Sequence, residues 1–230
     1  MVKKQLPIVA LMVFYVVILS IAGMGEETNS QSSPLQIAAV QTGGEQVTVI
    51  ANQSPEKITL EGYKLAAQGT DYQFEFQRDG YPVEIQPFGV LRIHSGSKAK
   101  PGYENQVDIF WTDQEVWGES KVAKLISPDR EMVSTYNYGE KTALDRFAGC
   151  LTKQGVKLKT LPYCGACQDQ KELLGESIKY IVNVNCREYA DFCGKRHKYV
   201  PAWISDDKVF EGIKSLEELA EAFNCEFQGE

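Results

Sequence analysis

Cysteine is missing from the first 149 residues of this 230-residue chain; all six lie between Cys150 and Cys225. No disulfide can therefore hold the longer part together. It must rely on a packed core, and the cysteine-bearing stretch is set off as a separate region. Clustered lysine and arginine are lacking too. With a net charge of −7, this excludes nucleic acid as an expected partner, because phosphate contacts need concentrated positive charge. The runs Lys157-Leu158-Lys159 and Lys195-Arg196-His197-Lys198 read instead as solvated strand and helix ends. There is no phosphate-cradling glycine loop with its lysine. No nucleophile elbow accompanies His94, Ser95 and Asp108, so a hydrolase triad is not indicated.

One long uncharged stretch is present. It runs from Gln5 to Gly25, behind Lys3 and Lys4 and ahead of Glu26-Glu27. A membrane span needs about 20 largely apolar residues, and flanking charges of this kind place the downstream chain outside the cytoplasm. Residues 1–25 are thus expected to be a membrane anchor or, with Ser20 and Ala22 at small-residue positions, a cleaved signal peptide. Either way the remainder is exported. Residues 26–34 are small and polar, a linker.

Residues 35–139 read as β throughout. Gln46-Val47-Thr48-Val49-Ile50 and Lys57-Ile58-Thr59-Leu60 alternate, and turn signals such as Gly43-Gly44, Asp79-Gly80 and Pro128-Asp129 punctuate the runs. About seven short alternating strands predict a β-sandwich. Ile58-Thr59-Leu60-Glu61-Gly62-Tyr63-Lys64-Leu65, Pro87-Phe88-Gly89-Val90-Leu91-Arg92-Ile93 and the strand pair within residues 122–133 resemble the lamin-tail domain. That resemblance implies an immunoglobulin-like sandwich rather than an activity. Phe110, Trp111 and Trp117 read as its core, or alternatively as a partner-binding patch.

From residue 142 the period changes. A helix is expected over 142–154 and a strand over 156–161, then a helix over 168–180 and a strand over 178–185. A short helix near 187–195 and two strands at 202–204 and 208–210 come next. The last helix, 215–223, opens on a capping box of Ser215 and Glu218. This order predicts an α/β thioredoxin fold over residues 142–228. The whole chain is therefore expected to be multidomain: membrane segment, sandwich, thioredoxin fold.

The chemistry is expected at Cys164-Gly165-Ala166-Cys167. Two thiols at this spacing at a helix start can close and reopen a ring disulfide, and unpaired N–H groups and the helix dipole favour the thiolate of the first. Cys164 is assigned as the attacking or first-attacked sulfur and Cys167 as the resolving one. Pro201 is expected in cis, turning the backbone of Val200 toward an extended substrate segment. Cys186 with Cys193 and Cys150 with Cys225 read as structural disulfides, the first pair alternatively as a second redox relay. No cofactor or metal is needed. A zinc site formed by Cys164 and Cys167 with Cys186, Cys193 or His197 is the first rival, but the second pair lacks knuckle spacing.

The segments Phe147-Ala148-Gly149-Cys150, Tyr163-Cys164-Gly165-Ala166-Cys167, Val182-Asn183-Val184-Asn185-Cys186, Val200-Pro201-Ala202-Trp203 and Ser215-Leu216-Glu217-Glu218 resemble the thioredoxin-like domain fused to bacterial vitamin K epoxide reductase homologues. That resemblance implies an extracytoplasmic thiol–disulfide oxidoreductase. Its expected partners are exported cysteine-containing proteins and a separate, quinone-linked membrane oxidoreductase. The chain departs from the family in carrying Tyr163 where a tryptophan is usual, and Gly165-Ala166 in place of Pro-His. Strand 156–161 also has no carboxylate to assist proton transfer. The alternative reading is a non-enzymatic cell-envelope adaptor with a structural thioredoxin-like unit.

Overall fold

The computed structural model describes residues 33–76, 82–101, 107–118, 120–194 and 197–227. The expected anchor or signal peptide at 1–25, most of the linker and the Asp79-Gly80 turn lie outside the described residues. The chain first forms β1 (Leu35–Gln41), β2 (Gln46–Asn52), β3 (Ile58–Thr59), β4 (Lys64–Ala67) and β5 (Gln73–Glu75). It continues with β6 (Glu84–Ile85), β7 (Val90–Ser95), β8 (Asp108–Thr112), β9 (Val122–Ile126) and β10 (Met132–Asn137). Next come α1 (Ala143–Lys153), β11 (Lys157–Thr160), α2 (Gly165–Glu172) and β12 (Val182–Asn185). The one-turn α3 (Ala190–Cys193), β13 (Ala202–Ile204), β14 (Val209–Glu211) and α4 (Leu216–Phe223) complete it.

Three four-stranded sheets result, in the orders β1-β2-β7-β8, β10-β9-β4-β5 and β12-β11-β13-β14, with β3 and β6 as a separate pair. The first is antiparallel except for its parallel β7–β8 edge. In the third, β11 runs parallel to β12 and antiparallel to β13.

The two-residue period of the strands sorts their side chains between two faces. Leu35, Ile37, Ile50, Leu91 and Ile93 of the first sheet share a core with Leu65, Ala67, Ala123, Leu125 and Tyr136 of the second. The opposite face of the first sheet is also covered. Ala38, Val47, Val49 and Ala51 pack with Val182 and Val184 of β12 and with Phe88. The described residues from 33 to 227 accordingly form one compact unit.

Helix α1 seals the junction. Its capping box is complete, with Thr142 accepting from the Asp145 N–H and Asp145 accepting from the Thr142 N–H. On its buried side Gly149 lies so close to β1 that a Cβ there would meet the Ala39 Cβ at 2.9 Å and the Ala38 carbonyl at 3.0 Å. Arg92 of β7 holds Asp108 of β8 through two bonds of 2.6 and 2.7 Å and reaches the Lys153 carbonyl at the end of α1, 3.0 Å away. Phe88 completes the clasp, its ring centroid 5.2 Å from those of both Tyr189 and Phe192, the latter pair edge-to-face as aromatic quadrupoles favour.

The expected fold class, a membrane segment followed by an immunoglobulin-like sandwich and an α/β thioredoxin fold, is corrected by this architecture for the described residues, the membrane segment itself lying outside them. The described chain is mostly β, in several small sheets, with few and short helices. Among the described residues no helix is long and apolar enough to cross a membrane. The shortfall in helix has local causes. The helix expected over 168–180 stops after Glu172, and Gly175 at φ 49° begins a 3₁₀ segment, Gly175–Tyr180. That left-handed glycine ends the α-helical ladder. The 3₁₀ segment also occupies the start of the strand expected over 178–185, leaving only four residues extended.

Two outcomes test the packing. Gly149→Val forces a branched side chain into the β1 backbone and should cost about 1–3 kcal/mol, read by urea unfolding without reductant. Asp145 accepts from the Ser177 hydroxyl at 2.6 Å. Burial alone would raise its pKa, but the Ser177 and Thr142 bonds and the charge of Lys141 outweigh it and hold the carboxyl below its ordinary value. A depressed carboxyl contributes stability above the unfolded-chain value, and that contribution is lost as pH falls through the folded value. Asp145→Asn should therefore cost about 1 kcal/mol at neutral pH, a gap that narrows on acidification below about pH 4.

Candidate active site

Strand β11 ends at Thr160, and four residues later Cys164 starts α2 from its N-cap position. The local sequence explains the geometry. Pro162 cannot continue the ladder, and Tyr163 takes a left-handed φ of 62°, which turns the chain from strand to helix. Such a conformation is strained for a non-glycine residue. The Tyr163 side chain is 93% exposed and makes no compensating burial.

Cys164 and Cys167 are bonded, with Cα atoms 5.2 Å apart. The Cys167 N–H is shared between the Cys164 carbonyl at 3.0 Å and the Cys164 sulfur at 3.2 Å, so the first sulfur lies against a first-turn donor at the positive end of the helix. The pair is asymmetric. Cys164 is half-buried and Cys167 fully buried. The Val200–Pro201 bond is cis, and the Val200 carbonyl lies 3.8 Å from the Cys164 sulfur. The structure thus brings together all four residues expected at the site: Cys164, Cys167, Val200 and Pro201.

The remaining cysteines are also paired. Cys150 on α1 is bonded to Cys225 beyond α4, and Cys186 to Cys193 across α3, with Cα separations of 5.8 and 5.5 Å. The Cys186 N–H donates to the Thr160 carbonyl at 2.8 Å, which puts this second disulfide at the same end of the sheet as Cys164. Ser95 directs its hydroxyl to Gln46 while His94 bonds Asp108, so these three do not align as a triad.

Two contributors escape the sequence reading. Gln170 of α2 is fully buried and bonds the Lys214 N–H at 2.7 Å and the Lys214 carbonyl at 3.1 Å, tying the active-site helix to the loop before α4. There Ser215 and Glu218 form the capping box that the sequence predicts. Lys159 is corrected from a solvated strand end to a buried anchor. It is 7% exposed and donates to the carbonyls of Phe192 and Cys193 at 2.8 and 2.7 Å. A strand neighbour at two-residue spacing, Lys157, was the available signal. Both lysines share a face that sequence alone leaves open to water.

No family model matches the chain, and no curated protein matches it.

Removing Lys159's donors should loosen the second disulfide loop. Unpaired buried carbonyls cost about 1–3 kcal/mol, and a local loss of 1–2 kcal/mol raises opening roughly 5–30-fold. In Lys159→Met, dithiothreitol should reduce Cys186–Cys193 faster by that factor, while Cys150–Cys225 keeps its rate. Timed alkylation and mass spectrometry give both rates.

Proposed function

We propose that this chain is an extracytoplasmic thiol–disulfide oxidoreductase that exchanges disulfides with exported proteins through Cys164 and Cys167. The observation that carries the reading is the asymmetry of the pair. Cys164 is half-buried with its sulfur capped by a helix N–H, and Cys167 is fully buried.

The exchange proceeds from that arrangement. A client thiolate attacks the Cys164 sulfur, the ring disulfide breaks, and Cys167 departs with the electron pair as a thiolate. A second client thiolate then attacks the client sulfur of the mixed disulfide. The client leaves oxidised, with Cys164 as thiolate, and this chain is reduced by two electrons. Run backward, the same steps reduce a client. Helix N–H groups and the dipole stabilise the Cys164 thiolate in both directions. Beside it, the carbonyl of Val200 offers a backbone acceptor to an extended client segment.

Reoxidation or re-reduction falls to a separate, quinone-linked membrane oxidoreductase. The likeness of the cysteine-bearing segments to the domain fused to bacterial vitamin K epoxide reductase homologues supports that partner. Six cysteines in three disulfides suit an oxidising compartment, and the apolar stretch ahead of residue 26 supplies the route of export.

The test is trapping. Cys167→Ala should accumulate mixed disulfides with exported proteins, visible as reductant-sensitive adducts, while Cys164→Ala should form none. Equal trapping by the two variants overturns the assignment.

A further inference from the structure

A cavity lies away from the cysteine pair, where the first and third sheets meet. It holds about 160 Å³, close to the size of an engineered core cavity that admits one benzene ring. Its apolar walls are Pro87 and Phe88 from one side and Val184, Phe192 and Ile204 from the other. Its polar lining is Lys157, Lys159, Ser205 and Asp206.

The charge in this lining does not balance. Arg92, the next cation, is matched by its two bonds to Asp108. Lys159 is spoken for by the carbonyls of Phe192 and Cys193. The Lys157 ammonium has no hydrogen-bond partner among the described residues. Asp206, which lies at the rim and is exposed, acts on Lys157 and Arg92 only at a distance. Two lysines against one aspartate leave one positive charge in excess. Burial pushes the Lys157 amine below its ordinary pKa, the behaviour of an ammonium short of a counter-charge.

We propose that this cavity is a binding site for a small monoanion carrying a single apolar ring, of the aromatic carboxylate class. The ring lies against Phe88 and Phe192, and the carboxylate accepts from the Lys157 ammonium. Aromatic contact and a charge-assisted bond in a half-buried setting are the two terms such a ligand needs. For nine heavy atoms they correspond to a dissociation constant on the order of 1 mM. The site is independent of the thiol chemistry, since none of its lining residues belongs to the cysteine pair or its facing loop.

Benzoate is the probe, titrated into the full chain with its disulfides intact and followed by NMR shifts of amides around Gly155 and Ile204. Benzamide, its neutral analogue, is the control. Saturable benzoate binding that is at least about tenfold tighter than benzamide binding supports the proposal. Lys157→Met should weaken benzoate by a similar factor and Lys157→Arg should retain it. Should Lys157→Met not fold, the comparison of benzoate with benzamide on the unaltered protein still decides. Absence of saturation, equal binding of the two compounds, or undiminished benzoate affinity in a folded Lys157→Met overturns it.

Discussion

Strand β2 turns Ile50 into one core and Val47, Val49 and Ala51 into another, and the position of the cysteine pair depends on that double burial. The sheet that contains β2 is gripped on one side by β4, β9 and β10 and on the other by the β12 valines and Phe88. Apolar surface removed from water on both faces contributes roughly 25 cal/mol per Å². The third sheet is thereby fixed, and with it the turn that carries Cys164.

On that frame the local electrostatics of the pair are simple. The N-cap sulfur meets a backbone donor, and no carboxylate on β11 competes for its proton. Gln170 holds the helix in place through backbone groups of the loop ahead of α4. The positioning groups named here are neutral or backbone, fixed dipoles rather than titrating side chains.

Much of this was legible in the sequence where the signal is local. Alternation between residues 35 and 138 gives the strands, and the Ser215–Glu218 capping box is written in two side chains three residues apart. The spacing of Cys164 and Cys167 and the position of Pro201 place the candidate site. What could not be read depends on contacts distant in sequence. Lys157 and Lys159 alternate with Leu158 as on any half-solvated strand; only the fold brings Phe88 and Phe192 over their face. Helix 168–180 has acceptable periodicity, yet Gly175 breaks it by adopting a backbone conformation that its neighbours do not announce. β2 reads as one-sided because Thr48 interrupts its apolar run, although both its faces are covered.

The close approach of Gly149 to Ala39 sets a limit on modular reuse. Cutting the chain near residue 141 to graft the thiol-bearing half elsewhere would bare Val182, Val184 and Tyr189 together with one flank of α1. The transplant would then arrive with a sticky surface that recruits other chains. A usable cassette has to bring β1 and β2 along, or replace that greasy face with charge.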